Sequence, residues 1–162
     1  MAELTEKDYE GIGRLTLAFN ELEFVIEEYF AKILNAPETS VSKFLAEEDQ
    51  FSRKVARFIV VLESISEERA DQEVKVGADV VIGLLREAKA LASTRNEYVH
   101  AVVVDDFGMG ATRLRIRKRE DRVCDGGAIF ALTGKLQNLT WDIDYYADEL
   151  ALTLSALRRS RQ

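Results

Sequence analysis

The segment VIGLLREAKALASTRNEYVH, residues 81–100, changes from one structural periodicity to another and so decides how the chain is divided. Up to Tyr98 its apolar residues recur at steps of three and four, which is typical of a helix with one buried face. Residues 101–104 are an alanine and three valines, and β-branched runs favour strands. The segment therefore predicts a long third helix, from about residue 70 to 98, followed by extended structure.

Arg95 interrupts the apolar stripe of this predicted helix. It occupies the position between Leu91 and Tyr98 at which another apolar side chain is expected. A guanidinium on a core-facing stripe must be paired, or it must face a cleft or a subunit interface, because burying an unpaired charge is costly. His100, the only histidine, is the one side chain suited to carry protons near neutral pH. Arg95 and His100 are therefore the leading candidates for functional residues.

The remainder of the chain also shows helical periodicity. Further helices are predicted at about residues 5–34, 52–66 and 128–158, with a short one, or a longer interrupted one, near Phe44-Leu45. The first should end before Asn35-Ala36-Pro37, because a residue that precedes proline disfavours the helical conformation. Ser52 is a candidate N-cap for the second major helix. The apolar face of the first helix is wide enough to suggest burial on two sides.

A strictly alternating segment lies between the third and last predicted helices. Residues 112–119 place Arg113, Arg115, Arg117 and Arg119 on one face of a strand and apolar residues on the other. Together with the valine run and the turn residues 105–110, the segment predicts a β-hairpin. The predicted fold is mainly α: an up-down helical bundle of four to five helices with a small β-hairpin insert, in a single domain that spans residues 1–162.

The composition excludes several classes of protein. Cys124 is the only cysteine, so that the chain cannot form an internal disulfide, and one cysteine with one histidine cannot build an ordinary zinc site. Neither a signal peptide nor an apolar run of membrane-spanning length is visible, which favours a soluble, cytoplasmic protein with no membrane partner. No phosphate-binding glycine pattern occurs, since Gly108-x-Gly110 belongs to the predicted turn. We therefore expect no metal and no cofactor.

The charge distribution is uneven. The net charge of −7 argues against binding nucleic acid by bulk charge. Residues 113–122, however, contain six cations and two carboxylates, which leaves +4 in this segment and −11 in the remainder. The chain can therefore bind phosphate only locally.

Arg95 and His100 together suit one kind of chemistry. Arginine can hold a phosphate through two parallel hydrogen bonds, and histidine can take a proton from a ribose 2′-hydroxyl or give one to the leaving 5′-oxygen. These groups suffice for RNA cleavage by transesterification without a metal. Five helical residues turn by about 140° and rise by about 7.5 Å. The two side chains therefore meet only if the helix breaks between them, or if a second copy of the motif faces them across a dimer.

The motif Arg95-Asn96-x-x-x-His100 resembles the signature of HEPN domains, in which Arg and His are four to six residues apart and a polar residue, often Asn, follows the Arg. Its position at the end of the third major helix is also similar. One branch of small bacterial HEPN-like proteins has a comparable start to the second helix, here Phe51-Ser52-Arg53-Lys54-Val55. The resemblance spans about residues 10–157.

This resemblance implies a homodimer with two motifs in one shared cleft and a metal-independent endoribonuclease activity. Such proteins are often the toxin of a toxin–antitoxin or phage-defence pair, with a nucleotidyltransferase-like protein as a possible antitoxin. Arg95 would contact the scissile phosphate, His100 would act as general base or acid, and Asn96 would orient one of them or the RNA. The alternative is a non-catalytic HEPN-like helical dimer that binds a partner protein or a nucleotide and uses Arg95 in a structural ion pair. We expect the dimer to form through faces near the first and third helices.

Other residues near the motif have two interpretations each. Tyr98 could stack on an RNA base, or it could be a core or interface residue. The arginines at 113–119 could guide an RNA backbone, or they could form a solvated strand face that prevents edge-to-edge pairing. Glu97-x-x-His100 also matches half of a di-metal motif, but that site needs two such motifs and one chain has a single histidine.

Overall fold

The computed structural model describes residues 6–36, 50–68, 71–99, 102–105, 112–115, 122–123 and 126–160. The helices are α1 (Glu6–Leu34), α2 (Phe51–Glu68), α3 (Gln72–Val99) and α4 (Gly126–Arg159). The strands are β1 (Val102–Asp105), β2 (Thr112–Arg115) and β3 (Arg122–Val123).

One hydrophobic core is shared by the four described helices. α1 packs most extensively against α4, and α3 lies against both α4 and α2. Each helix contributes a stripe of apolar side chains spaced at three or four residues, so that the predicted periodicity is the one that is buried. The largest fully buried side chains are Phe30, Phe58, Leu15, Leu22, Ile33, Leu62, Leu85, Ile129, Leu136, Ile143 and Leu154. The helical bundle predicted from the sequence is confirmed.

α1 and α2 run in the same direction. The ring of Phe19 lies 4.8 Å from that of Phe51, and the ring of Phe30 lies 4.6 Å from that of Phe58. These contacts advance together along both helices, which only parallel helices allow. The chain must therefore return from the end of α1 to the start of α2 through residues 37–49. This segment, which contains the predicted short helix near Phe44-Leu45, lies outside the described residues.

α4 is also parallel to α1, whereas α3 is antiparallel to its neighbours. A Cβ added at Gly11 would lie 3.3 Å from Ile129 early in α4, and Arg158 late in α4 donates to the carbonyl of Ile33 at 2.7 Å. α3 follows α2 after three residues and packs against it, an arrangement that requires opposite directions. The four described helices thus do not alternate as in a strict up-down bundle, because the long connection after α1 makes α2 parallel to it.

Local hydrogen bonds explain where the helices begin and end. α1 ends because Asn35 adopts a left-handed conformation with φ of 54°, and Ala36 donates to the carbonyl of Ala31 at 3.2 Å. Asp71 caps α3, since its carboxylate accepts the backbone N–H groups of residues 73 and 74. Ser52 is not the N-cap of α2, and that prediction is wrong. α2 already includes Phe51, and the carbonyl of Gln50 accepts its first hydrogen bonds.

Three short antiparallel strands follow α3, in the order β1-β2-β3. In the first pair, Val102 lies opposite Arg115 and Val104 lies opposite Arg113. Arg113 also lies opposite Val123 of β3, so this part of β2 is paired on both sides. The predicted strand 112–119 is described as far as Arg115.

Candidate anion site at Arg95

Arg95 lies on α3, just over one turn before the helix ends, and faces α1. Its guanidinium carbon lies 4.6 Å from the centre of the Phe19 ring, so that the charge rests on an aromatic face. Phe19 is buried, while Arg95 is partly exposed. The charge that interrupts the apolar stripe is thus accommodated at a contact between two helices.

The nitrogen atoms of the Arg95 guanidinium differ in their hydrogen bonds. The Nη1 of Arg95 donates a hydrogen bond to Oδ1 of Asn96 at 3.0 Å. The Nε is buried and has no hydrogen-bond partner within the described part of the chain. No carboxylate of the described residues forms an ion pair with Arg95. Within the described residues, the guanidinium is thus partly exposed, lies over the Phe19 ring and is not ion-paired.

The first residues of α2 pack against the part of α1 that carries Phe19. The Phe51 ring packs on Phe19, and Val55 is fully buried. Between them, Nζ of Lys54 lies 2.7 Å from a carboxylate oxygen of both Glu23 and Glu27 on α1. Burial opposes the charge on Lys54, but the hydrogen bonds to the two glutamates outweigh it and raise the pKa of the ammonium. The segment that resembles the HEPN-like proteins thus has a clear structural task, since it docks α2 onto α1.

The remaining residues of the predicted motif differ in what the structure describes. Asn96 is exposed on α3 and contacts Arg95. Tyr98 is half-buried and packs against the hydrophobic core, which favours its interpretation as a core residue. His100 lies outside the described residues, and so does Cys124. The structure therefore brings Arg95 and Asn96 together and describes nothing of how His100 is placed.

The predicted arginine row is described in part. Arg113 and Arg115 belong to β2, while Arg117 and Arg119 lie outside the described residues. Arg113 lies in the central strand and is paired with a residue on each side, so it is not at a sheet edge. A role in preventing edge-to-edge pairing therefore does not explain an arginine at this position.

The aromatic partner of Arg95 could not be found from the sequence. Phe19 belongs to the regular apolar stripe of α1, and nothing distinguishes it there from the neighbouring core residues. A contact between two helices that are distant in the chain leaves no periodic signal. The one indirect signal was Arg95 itself, because a charge on a buried stripe requires some compensating partner.

A second polar cluster joins α1 to α4. The hydroxyl of Tyr29 donates to Oδ1 of Asp144 at 2.8 Å, and Nζ of Lys32 lies 4.3 Å from the centre of the same ring. Burial, followed by the hydrogen bond to Asp144, raises the pKa of the Tyr29 phenol well above its usual range. The phenol stays neutral and holds α1 against α4 through its hydrogen bond to Asp144. We therefore interpret this cluster as structural.

Comparisons with protein-family models, curated proteins and solved structures found no match to this chain. In the described ranges, no group of three histidine, cysteine or acidic side chains is placed to hold a metal ion. None of the described helices is both long and apolar enough to cross a bilayer. The function is therefore inferred from the chemistry of individual residues.

Proposed function

We propose that this chain is a metal-independent endoribonuclease of HEPN type that acts as a cytoplasmic homodimer. It would serve as the toxin of a toxin–antitoxin or phage-defence pair. The observation that carries the proposal is the state of Arg95, a partly exposed guanidinium that no described carboxylate neutralises and whose carbon lies 4.6 Å from the centre of the Phe19 ring. An arginine held in this way is prepared to bind an anion.

Arg95 would bind the scissile phosphate. The contact with the Phe19 ring and the hydrogen bond to Asn96 together restrict the position of the guanidinium. This contact supports the orienting role proposed for Asn96. The planar fork of donors matches two phosphate oxygens, and little side-chain freedom is left to lose when the phosphate binds.

His100 would transfer the protons. As general base it takes the proton of the ribose 2′-hydroxyl, whose oxygen attacks the phosphorus. The 5′-oxygen leaves and receives a proton, so that one product ends in a 2′,3′-cyclic phosphate and the other in a 5′-hydroxyl. A step of five residues on an ideal helix turns by about 140°, so one Arg95 and one His100 meet only if the helix breaks between them or if a second copy of the motif faces them. The proposal adopts the second arrangement, in which two chains each supply the motif to one shared cleft.

The RNA would approach along the arginines of the inserted segment. Arg113, Arg115, Arg117 and Arg119 belong to residues 113–122, a segment with a local balance of +4. A nucleotidyltransferase-like antitoxin is the expected protein partner of such a toxin, and it would act by blocking or modifying this site.

An RNA cleavage assay in EDTA tests the proposal directly. Wild type should cleave RNA and leave a 2′,3′-cyclic phosphate, whereas Arg95→Ala and His100→Ala should each lose most of the activity. Arg86→Ala is the matched control, because Arg86 is an exposed arginine on the same helix that forms only a surface ion pair with Glu63 at 3.4 Å. Full cleavage by His100→Ala, or no cleavage by a purified wild-type dimer, would contradict the enzymatic proposal.

The alternative function is a non-catalytic HEPN-like helical dimer that binds a partner protein or a nucleotide. It is favoured by one observation: the buried Nε and the aromatic stack of Arg95 are what a structural arginine would also show. In that case wild type cleaves no RNA, and Arg95→Ala destabilises the protein. The methionine variant discussed below separates the two functions.

A further inference from the structure

The outer side of the α1–α4 pair carries a group of exposed apolar side chains. Leu17 and Phe24 of α1 are 70% and 66% exposed, and Trp141 and Tyr145 of α4 are 74% and 62% exposed. Seven residues separate the first two and four residues the second two, so that each pair shares one helical face. Together they expose roughly 500 Å², at the upper end for the largest apolar patch of a monomer. A surface of this kind is typical of a protein interaction site.

A groove runs along this side of the helix pair, and Leu17 and Trp141 are among the residues that line it. It consists of two adjoining depressions of about 420 and 250 Å³, both lined by Glu21 and Gln137. Small residues form its floor: Ala18, Thr133, Gly134 and Thr140. The hydroxyls of both threonines donate to carbonyls of their own helix, at 2.9 and 2.8 Å, so their protons are already used within the helix. A floor of small residues between two helices fits the side-chain ridge of a third helix.

The charge along this groove is negative. Arg14 and Lys32 are cations of α1 beside it, and each already lies 2.7 Å from a glutamate one turn earlier on the same helix. Glu21 and Asp144 line the groove, and neither has a cation at ion-pairing distance within the described part of the chain. A ligand for this groove therefore needs an apolar face and positive charge beside it.

The groove lies on the side of α1 that is opposite Arg95. Leu17 precedes Phe19 by two residues, a helical rotation of about 200°, so that the exposed face and the Arg95 stack point in nearly opposite directions. A second copy docked here would not bring two Arg95 residues together. Two copies of this face would also place like charges against each other. The occupant is therefore a different molecule.

We propose that the α1–α4 groove binds an amphipathic helix of a partner protein, with apolar residues along one face and lysine or arginine beside them. Between Arg14 and Val25 the groove extends over about 16 Å of α1, which corresponds to about three turns of a bound helix. The apolar face would cover Leu17 and Trp141, and the flanking cations would meet Glu21 and Asp144. This mode of recognition places an apolar helix face in a groove and does not depend on ribonuclease activity.

Trp141 makes the proposal directly testable, because it is the only tryptophan and lies in the groove. The probe is a designed leucine–lysine peptide with helical periodicity, titrated into the full chain. We expect a saturable blue shift of the tryptophan emission, weakened by salt. Leu17→Ser and Phe24→Ser should weaken binding roughly tenfold each, and Glu21→Lys should weaken it as well. Val60→Ser is the control, because Val60 is equally exposed but lies on α2.

Three results would overturn the proposal. The first is that a leucine–glutamate peptide with the same pattern, or a scrambled leucine–lysine peptide, binds as tightly as the leucine–lysine probe. The second is that the serine variants at Leu17 and Phe24 bind the probe as wild type does. The third is that the emission shifts with protein concentration alone, which would identify a second copy of the chain as the occupant. His100→Ala should bind the peptide like wild type, so failure of this proposal and failure of the ribonuclease proposal are distinguishable.

Discussion

Replacing Arg95 with methionine separates a role in phosphate binding from a role in packing. The stack on Phe19 contributes about 0.5–2 kcal/mol, and the hydrogen bond to Asn96 about 0.5–1.5 kcal/mol. The buried Nε acts in the opposite direction, because an unpaired buried donor costs about 1–3 kcal/mol. Methionine keeps an apolar contact with the aromatic ring and buries no donor. The free energy of unfolding of Arg95→Met should therefore lie within about 1 kcal/mol of the wild-type value.

The variant should nevertheless lose the proposed activity. Removing one group that stabilises a developing negative charge lowers the rate by about 10²–10³-fold. Urea denaturation followed by circular dichroism, and RNA cleavage on the same preparations, measure the two quantities separately. Arg86→Met, on the exposed side of α3, should change the free energy of unfolding by less than about 0.5 kcal/mol and should leave RNA cleavage unchanged. Wild-type cleavage by Arg95→Met would refute phosphate binding, and a loss of more than about 3 kcal/mol would refute the stability argument and make Arg95 structural.

Three further predictions concern the framework of the site. Gly83→Ala should raise the free energy of unfolding by about 0.5–1 kcal/mol, because an added Cβ meets no atom within 4 Å. Gly77→Ala should gain less, because its Cβ would lie 3.2 Å from a leucine methyl of α4. Equal increases in the free energy of unfolding for Gly83→Ala and Gly77→Ala, measured by urea denaturation, would contradict the packing. Lys54→Met should cost about 1–2 kcal/mol by the same measurement, because two carboxylates on α1 lose their cation; an unchanged midpoint would show that the pair contributes nothing. In wild type, stability should fall as the pH rises above about 10, because the unfolded chain releases the Tyr29 proton that the folded chain retains. Tyr29→Phe should flatten this alkaline decline, and an identical pH profile would count against it.

The helices were largely predictable from the sequence. The first was expected at about residues 5–34 and is Glu6–Leu34, and the last was expected at about 128–158 and is Gly126–Arg159. A long run of apolar residues at three- and four-residue steps carries this information, because each helix buries one continuous stripe. Arg95 was also recognisable as unusual, since it breaks such a stripe.

The relative directions of the helices and the contacts between them were not predictable. Nothing in the periodicity of α1 and α2 tells whether they are parallel, because that depends on the connection between them. The prediction of Ser52 as the N-cap of α2 is wrong, and the sequence does not single out Asp71 as the cap of α3, because several polar residues near a helix start can accept its N–H groups. The contact of Phe19 with Arg95 joins distant parts of the chain, and only the assembled bundle creates it.

The extensive packing of α1 against α4 has a consequence for synthesis on the ribosome. α1 emerges before α4, and residues 35–125 lie between them, so the apolar stripe of α1 has no α4 to cover it until those residues have been synthesised. α2 and α3 are neighbours in the chain and can pair while synthesis continues. The nascent chain should therefore expose α1 to chaperones during this interval, and a stop codon that removes α4 should yield an aggregation-prone fragment.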